Sequence, residues 1–178
     1  MNTRLLTRLS TFLFGFLIAC LGQLANAAAE SENDSLLQDF GWTNDGEMTM
    51  ATANNIRTVN LSENVVLTQG TLEIFGDLAI LEFDEPTQIL IKATFYGAPV
   101  SYRQQLDSGD AGIRGSSDSI VLINEDSSGE TVIELIGNAH IESPDSTTDC
   151  AAIVYLPNKE LIRTATGPCA GSLSKIEE

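Results

Sequence analysis

The stretch from Leu61 to Phe83 (LSENVVLTQGTLEIFGDLAILEF) constrains the fold most, because it reads as two strands meeting at one glycine. Before Gly70, Val65, Val66, Leu67 and Thr68 carry the β-branched and aliphatic side chains that fit a pleated, half-buried surface. After it, Leu72, Ile74, Leu78 and Ile80 recur at even positions, and side chains two apart along a strand share a face. The expectation is a hairpin with these four residues on one apolar face. Such a face has to be covered, by protein or by something apolar that is not protein.

The same pattern continues on both sides. Met48 and Met50, then Ile56, Val59 and Leu61, predict short strands about an Asn54–Asn55 turn. Thr87 to Phe95 alternates, with Ile89, Ile91, Ala93 and Phe95 on one face and Lys92 and Thr94 on the other. Gly97-Ala98-Pro99 reads as a break, after which Val100, Tyr102, Gln104 and Leu106 share a face. Gly109 to Gly115 reads as a hairpin bend, since neither a Gly-Lys-Ser/Thr ending nor a helix follows to make a phosphate loop. Ile120–Ile123, Thr131–Ile136, Ala151–Leu156 and Glu160–Thr164 supply further strands. Aromatic residues are only 6% of the chain and aliphatic and threonine-rich runs dominate, so an all-β domain is expected. A weak repeat relates Leu61-Ser62-Glu63-Asn64-Val65-Val66 to Leu135-Ile136-Gly137-Asn138-Ala139-His140, each placing an Asn between strands. Repeated hairpins leave unpaired edges that can accept a strand from another molecule.

The N-terminus reads as an export signal. Arg4 and Arg8 precede a short apolar run, Thr11 to Cys20, and Ala25-Asn26-Ala27 offers small residues for cleavage near Ala27. The run falls short of the ~20 residues that span a bilayer. Leu17-Ile18-Ala19-Cys20 resembles a lipobox, which makes lipidation of Cys20 the minor alternative. The resulting division is residues 1–27 signal peptide, 28–46 flexible leader docking through Phe40 and Trp42, 47–166 β domain, and 167–178 tail. In an exported chain the remaining cysteines, Cys150 and Cys169, are expected to bond to each other. A loop of that size is worth about 3 kcal/mol in the chain-entropy model. A redox or metal pair would want Cys-x-x-Cys spacing or a nearby histidine, and the sequence has neither.

Charge and residue inventory exclude several functions. The formal net charge is −16, and without Arg4 and Arg8 only 7 basic residues face 25 acidic ones, scattered from Arg57 to Lys175. Nucleic acid, which is held by clustered Lys and Arg, is not a partner such a chain fits. His140 is the only histidine, so no Ser-His-Asp or metal constellation assembles without it, and it reads as a residue of an exposed strand face. Asp107 with Asp110, and Glu125 with Asp126, lack calcium-loop spacing and read as solvated turns. No enzyme activity, metal or cofactor is expected.

Four segments then carry a resemblance: Glu63 to Ile74 (ENVVLTQGTLEI), Tyr96 to Gln105 (YGAPVSYRQQ), Leu135 to Ile141 (LIGNAHI) and Ala152 to Leu156 (AIVYL). In this order they resemble the OstA-like domain of the periplasmic lipopolysaccharide-transport family of LptA, over about Met48 to Arg163. The resemblance implies a twisted, V-shaped antiparallel β-jelly roll with an apolar interior groove for lipid A acyl chains. It implies edge-strand pairing to LptC-like and LptD-like proteins, and head-to-tail joining of copies into a bridge between the membranes for outer-membrane assembly. By motif, the groove positions are Met48, Met50, Tyr102, Ile120 and Leu122. Strand parity adds Ile74, Ile80, Ile91 and Phe95, each of which equally suits ordinary sandwich core. Lys92, Arg103 and Arg114 are the basic residues near the middle of the chain that lipid phosphates would meet. The Cys150–Cys169 pair stands outside the family pattern. An adaptor that uses the same edges for protein assembly without carrying lipid is the alternative function.

Overall fold

The structure is a computed structural model, and it describes residues 40–106, 112–125 and 130–174. The expected signal peptide, Cys20, Asp107, Asp110 and Asp126 lie outside the described residues. Ten strands follow in order: β1 Phe40–Thr43, β2 Met48–Ala53, β3 Ile56–Gln69, β4 Leu72–Asp84, β5 Leu90–Gln105, β6 Gly112–Glu125, β7 Glu130–Ser143, β8 Ser146–Leu156, β9 Leu161–Thr166 and β10 Ala170–Leu173. A single 3₁₀ turn, Pro157–Lys159, separates β8 from β9. Strands β3 to β8 form an antiparallel meander. At one end β1 and β2 both pair with β3; at the other β9 and β10 both pair with β8.

Turn chemistry fixes the hairpins. Asn54 and Asn55 sit at φ 52° and 63° between β2 and β3, and Gly70 at φ 58° between β3 and β4. Positive φ is least costly for Gly and Asn, and paired left-handed residues give the turn whose twist matches the strands.

One face of the sheet is fully buried although the described residues form no second layer: Leu67, Leu72, Ile74, Leu81, Phe95, Ile120, Leu122 and Leu135 are each at 0% exposure. The sheet therefore covers itself. Tyr102 on β5 and Tyr155 on β8 meet edge to face at 6.0 Å between ring centroids, although three strand spacings of a flat sheet span about 14 Å.

The bend has a location. Pairing shifts register between Ser62 and Val65 on β3, Phe75 and Leu78 on β4, Tyr96 and Val100 on β5, Ser116 and Ser119 on β6, and Ile136 and Ala139 on β7. These shifts lie side by side, because Ser62, Leu78, Tyr96, Ser119, Ile136 and Ala152 are successive cross-strand partners. Bulges bend a strand and increase its twist, and aligned across the sheet they form one crease. Left-handed residues mark it: Glu63 and Asn64 on β3 at φ 62° and 50°, Gly137 and Asn138 on β7 at φ 78° and 48°. The weak repeat of the sequence is this bulge, used twice.

The crease corrects the strand parity. Leu72 and Ile74 are buried, but beyond Gly76 and Asp77 the buried positions are Ala79, Leu81 and Phe83. Leu78 is 50% exposed and Ile80 points away from the buried face, because the bulge moves the alternation by one residue. A second irregularity acts at the start of β5. Phe83 pairs with Leu90 and Glu82 with Lys92, so Ile91 has no partner on β4; Leu90 takes the buried face and Ile89 is exposed. Gly97-Ala98-Pro99 is not a strand break but the bulge within the 16-residue β5. Gly112 to Gly115 are the start of β6 and not a bend, with Ile113 buried. Phe40 to Thr43, expected within a leader, form β1, where the Phe40 and Trp42 rings pack on Phe83.

Candidate functional site

Cross-strand partners in a sheet share a face, so registers compose into ladders. One buried-face ladder runs Met50, Val59, Leu81, Ala93, Leu122, Ile133, Tyr155, Ile162 from β2 to β9. The next runs Met48, Leu61, Ala79, Phe95, Ile120, Leu135, Ile153, Ala165 over the same eight strands. Every member of both is apolar apart from the hydroxyl of Tyr155. Across the crease a third ladder passes through Trp42, Leu67, Ile74, Tyr102, Gly115 and Ile141. The inner face is thus a continuous apolar strip from one edge of the sheet to the other.

Seven of the nine expected groove residues stand on these ladders: Met48, Met50, Ile74, Phe95, Tyr102, Ile120 and Leu122. Ile80 and Ile91 do not, for the register reasons given above. The seven differ in access. Met48 and Met50 are 52% and 53% exposed, because among the described residues no strand lies beyond β2 to cover them, whereas Ile74, Phe95, Ile120 and Leu122 are closed by the opposing wall. The inner face also holds Leu67, Leu81, Ala93 and Leu135; Leu81 lies there because the β4 bulge shifts the alternation by one residue, whereas Ala93 keeps the face it shares with Phe95.

Polar groups inside are few. The Tyr102 hydroxyl donates to Gln104 Oε1 at 2.6 Å, and its ring lies over Gly115, where an added Cβ would stand 3.3 Å from Tyr102 Cδ1 and 3.0 Å from Leu135 Cδ2. The Tyr155 hydroxyl is buried without a hydrogen-bond partner. Burial pushes both phenol pKa values above the ordinary range: for Tyr102 the neighbouring Tyr155 and Glu160 add to it, for Tyr155 Glu160 does. Both rings are neutral at physiological pH.

The outer face carries the three basic residues of the middle strands. Lys92 pairs with Glu82 at 3.6 Å, and Arg103 bonds Glu73 through Nε while its guanidinium lies 4.7 Å over the Phe75 ring. Arg103 and Arg114 are cross-strand partners flanked by Glu73 and Glu142, and with Phe75 and Ser101 they line a shallow outer depression. Lys92, Arg103 and Arg114 therefore lie on the opposite side of the sheet from the apolar strip, whereas Arg57, the cross-strand partner of Phe83, stands at the end of the inner face, paired with Glu85 at 2.8 Å. His140 accepts or donates through Nδ1 to Asp149 Oδ1 at 2.7 Å, also on the outer face. Cys150 and Cys169 are joined by a disulfide. Among the described residues no three His, Cys, Asp or Glu converge as a metal site, and no helix is long and apolar enough to cross a membrane.

Residues 45–161 match the family described as LptA/(LptD N-terminal domain) LPS transport protein. Comparison with curated protein sequences finds no match. Among solved structures the chain is similar to LptH of Pseudomonas aeruginosa, described as the LptA homologous periplasmic component of the conserved lipopolysaccharide transport device. The TM-score is 0.61 at 16% identity, over 80% of this chain and 99% of that one. At that identity the likeness establishes the fold, an antiparallel β-jelly roll.

Proposed function

Because this chain belongs to the family of LptA and LptD N-terminal-domain lipopolysaccharide-transport proteins, we propose that it is a periplasmic carrier that holds lipid A acyl chains on its inner apolar strip. The family is one of transport proteins and not of enzymes. The observation that carries the proposal is the pair of apolar ladders running through eight strands and opening at Met48 and Met50. A sheet that needed only a core would have its apolar residues end inside its edge strands. Here they continue onto an edge strand that no other described residue covers, so the strip of one copy can meet that of the next. Edges left unpaired among the described residues, at β1 with β2 and at β9 with β10, suit head-to-tail joining of copies, and pairing with LptC-like and LptD-like partners, as a bridge between the two membranes. The methionines at the mouth supply flexible thioethers that adapt to acyl chains of different shape.

The test is photocrosslinking. A photoreactive side chain at Tyr102 or Leu122 labels lipopolysaccharide, and one at Arg103, on the outer face, does not; equal labelling overturns the proposal. The adaptor reading rests on the closure of the inner face, since tails reach Ile120 and Leu122 only if the walls part. Met50→Arg separates the two, because it places a charge at the mouth without entering the core. Loss of lipid binding and of function together supports the carrier; function retained in Met50→Arg, with no lipid bound by the wild type or the variant, supports the adaptor.

A further inference from the structure

The two ends of the sheet are built alike and held differently. β3 is paired along two stretches by β1 and β2, and β8 along two stretches by β9 and β10. β1 is anchored by aromatic packing, with Phe40 and Trp42 at 5.3 and 6.3 Å from Phe83 between ring centroids. β10 (AGSL) has no such anchor: all four residues are exposed, Leu173 by 85%. Apart from its register with Ser146–Asp149, it is held by Thr147 Oγ1 and Ser172 Oγ at 2.7 Å, by Ser174 N–H donating to the Asp145 carbonyl at 2.7 Å, and by the disulfide just before it. Cys169 falls between the two strands at the point where Thr166 faces Ala152 and Ala170 faces Asp149. A four-residue strand exposed throughout opens readily to water unless something ties it down.

We infer that the Cys150–Cys169 disulfide decides which backbone edge this end of the sheet offers to a second copy of the chain. With the bond in place, β10 covers Ser146–Asp149 and the outward edge is the two-piece edge of β9 and β10. Without it, β10 leaves, and β8 presents a row of unpaired N–H and C=O groups that accepts an extended strand. The second copy's β2 fits, being six residues long and exposed throughout. The inference rests on the edge-joining part of the proposed function.

Gly171 provides a control that spares the cysteines. An added Cβ there would stand 2.7 Å from the backbone oxygen of Thr147, so Gly171→Val dislodges β10 while the disulfide stays intact. Hydrogen exchange on the exported chain, oxidised wild type against Cys150→Ser/Cys169→Ser and against Gly171→Val, reads the outcome. Protection of the amides within 146–149 and 170–173 that bond β8 to β10 falls tenfold or more in both variants, with β4 to β7 unchanged. Equal protection in the wild type and the double-serine variant overturns the inference. Photoreactive probes then map contacts between copies: they move from β9 and β10 in the wild type to β8 in the variants, and identical maps also overturn it. If protection falls but no form crosslinks to a second copy, the edge-joining reading fails while the disulfide's hold on β10 stands.

Discussion

Asn64 and Asn138 occupy equivalent places at two crossings of one crease. Their φ angles are 50° and 48°, and each Nδ2 donates to an aspartate of a neighbouring segment, Asp45 at 2.8 Å and Asp118 at 3.1 Å. Each follows a second left-handed residue, Glu63 or Gly137, so two consecutive positive-φ residues turn the strand at both sites.

This geometry makes the asparagines conformationally particular. Asn64→Val or Asn138→Val puts a β-branched residue where it is a steric outlier, at a cost of about 1–3 kcal/mol each. Asn→Gly at the same positions keeps the angle and loses only the side-chain hydrogen bond, roughly 0.5–1.5 kcal/mol. Urea unfolding of the four variants checks the order, and equal losses for Val and Gly would remove the bulge from the account.

Ile74 and Ile80 test the face reversal. Ile74→Ala opens a cavity in a site at 0% exposure and costs about 2–5 kcal/mol, while Ile80→Ala on the outer side costs within about 1 kcal/mol. Thermal melts of the pair suffice. Equal losses would mean that the alternation runs unbroken through Gly76 and Asp77.

Gly115 is where a large ring meets a missing side chain. Gly115→Val drives a branched side chain against Tyr102 Cδ1 and Leu135 Cδ2 and toward the His140 carbonyl at 3.2 Å. Overpacking of this kind costs about 1–3 kcal/mol. Gly115→Val with Tyr102→Leu recovers part of the loss if the ring is the obstacle, which a double-mutant cycle measures.

The two tyrosines set the alkaline limit. Their folded pKa values are raised above the ordinary tyrosine value, so their contribution is intact below about pH 10 and declines as rising pH ionises the unfolded chain first. Stability should fall above pH 10 with a slope of up to about 2.7 kcal/mol per pH unit from the pair, and each Tyr→Phe removes about half of it. At neutral pH Tyr155→Phe is neutral or stabilising, because its buried hydroxyl has no partner, whereas Tyr102→Phe loses the bond to Gln104. Denaturant titrations from pH 7 to 11.5 distinguish these outcomes.

Much of the fold was legible because its signals are local. Asn54–Asn55 and Gly70 mark turns through the cost of positive φ, and alternation within an unbroken segment placed Ile120 with Leu122 and Val100 with Tyr102 on shared faces that prove buried. The candidate site was legible where no bulge intervened. Reading parity from Ile74 on to Ile80, or from Phe95 back to Ile91, crossed an inserted residue that leaves no periodic trace. Ile80 and Ile91 were misplaced for that reason alone, and Leu81 and Leu90 hold the inner positions.

The sequence by itself determined the strand class, the turns at Asn54–Asn55 and Gly70, the pairing of the two late cysteines and the family motifs, since these rest on residue chemistry within a few positions. Tertiary structure decided which face each residue takes, because a bulge is defined by the partner strand opposite it: those in β4, β5 and β6 reverse the alternation, while the paired left-handed residues in β3 and β7 leave it unchanged. It also decided that the apolar ladders run to an edge open at Met48 and Met50 while Lys92, Arg103 and Arg114 stand on the outer face, since a ladder exists only once eight strands are in register.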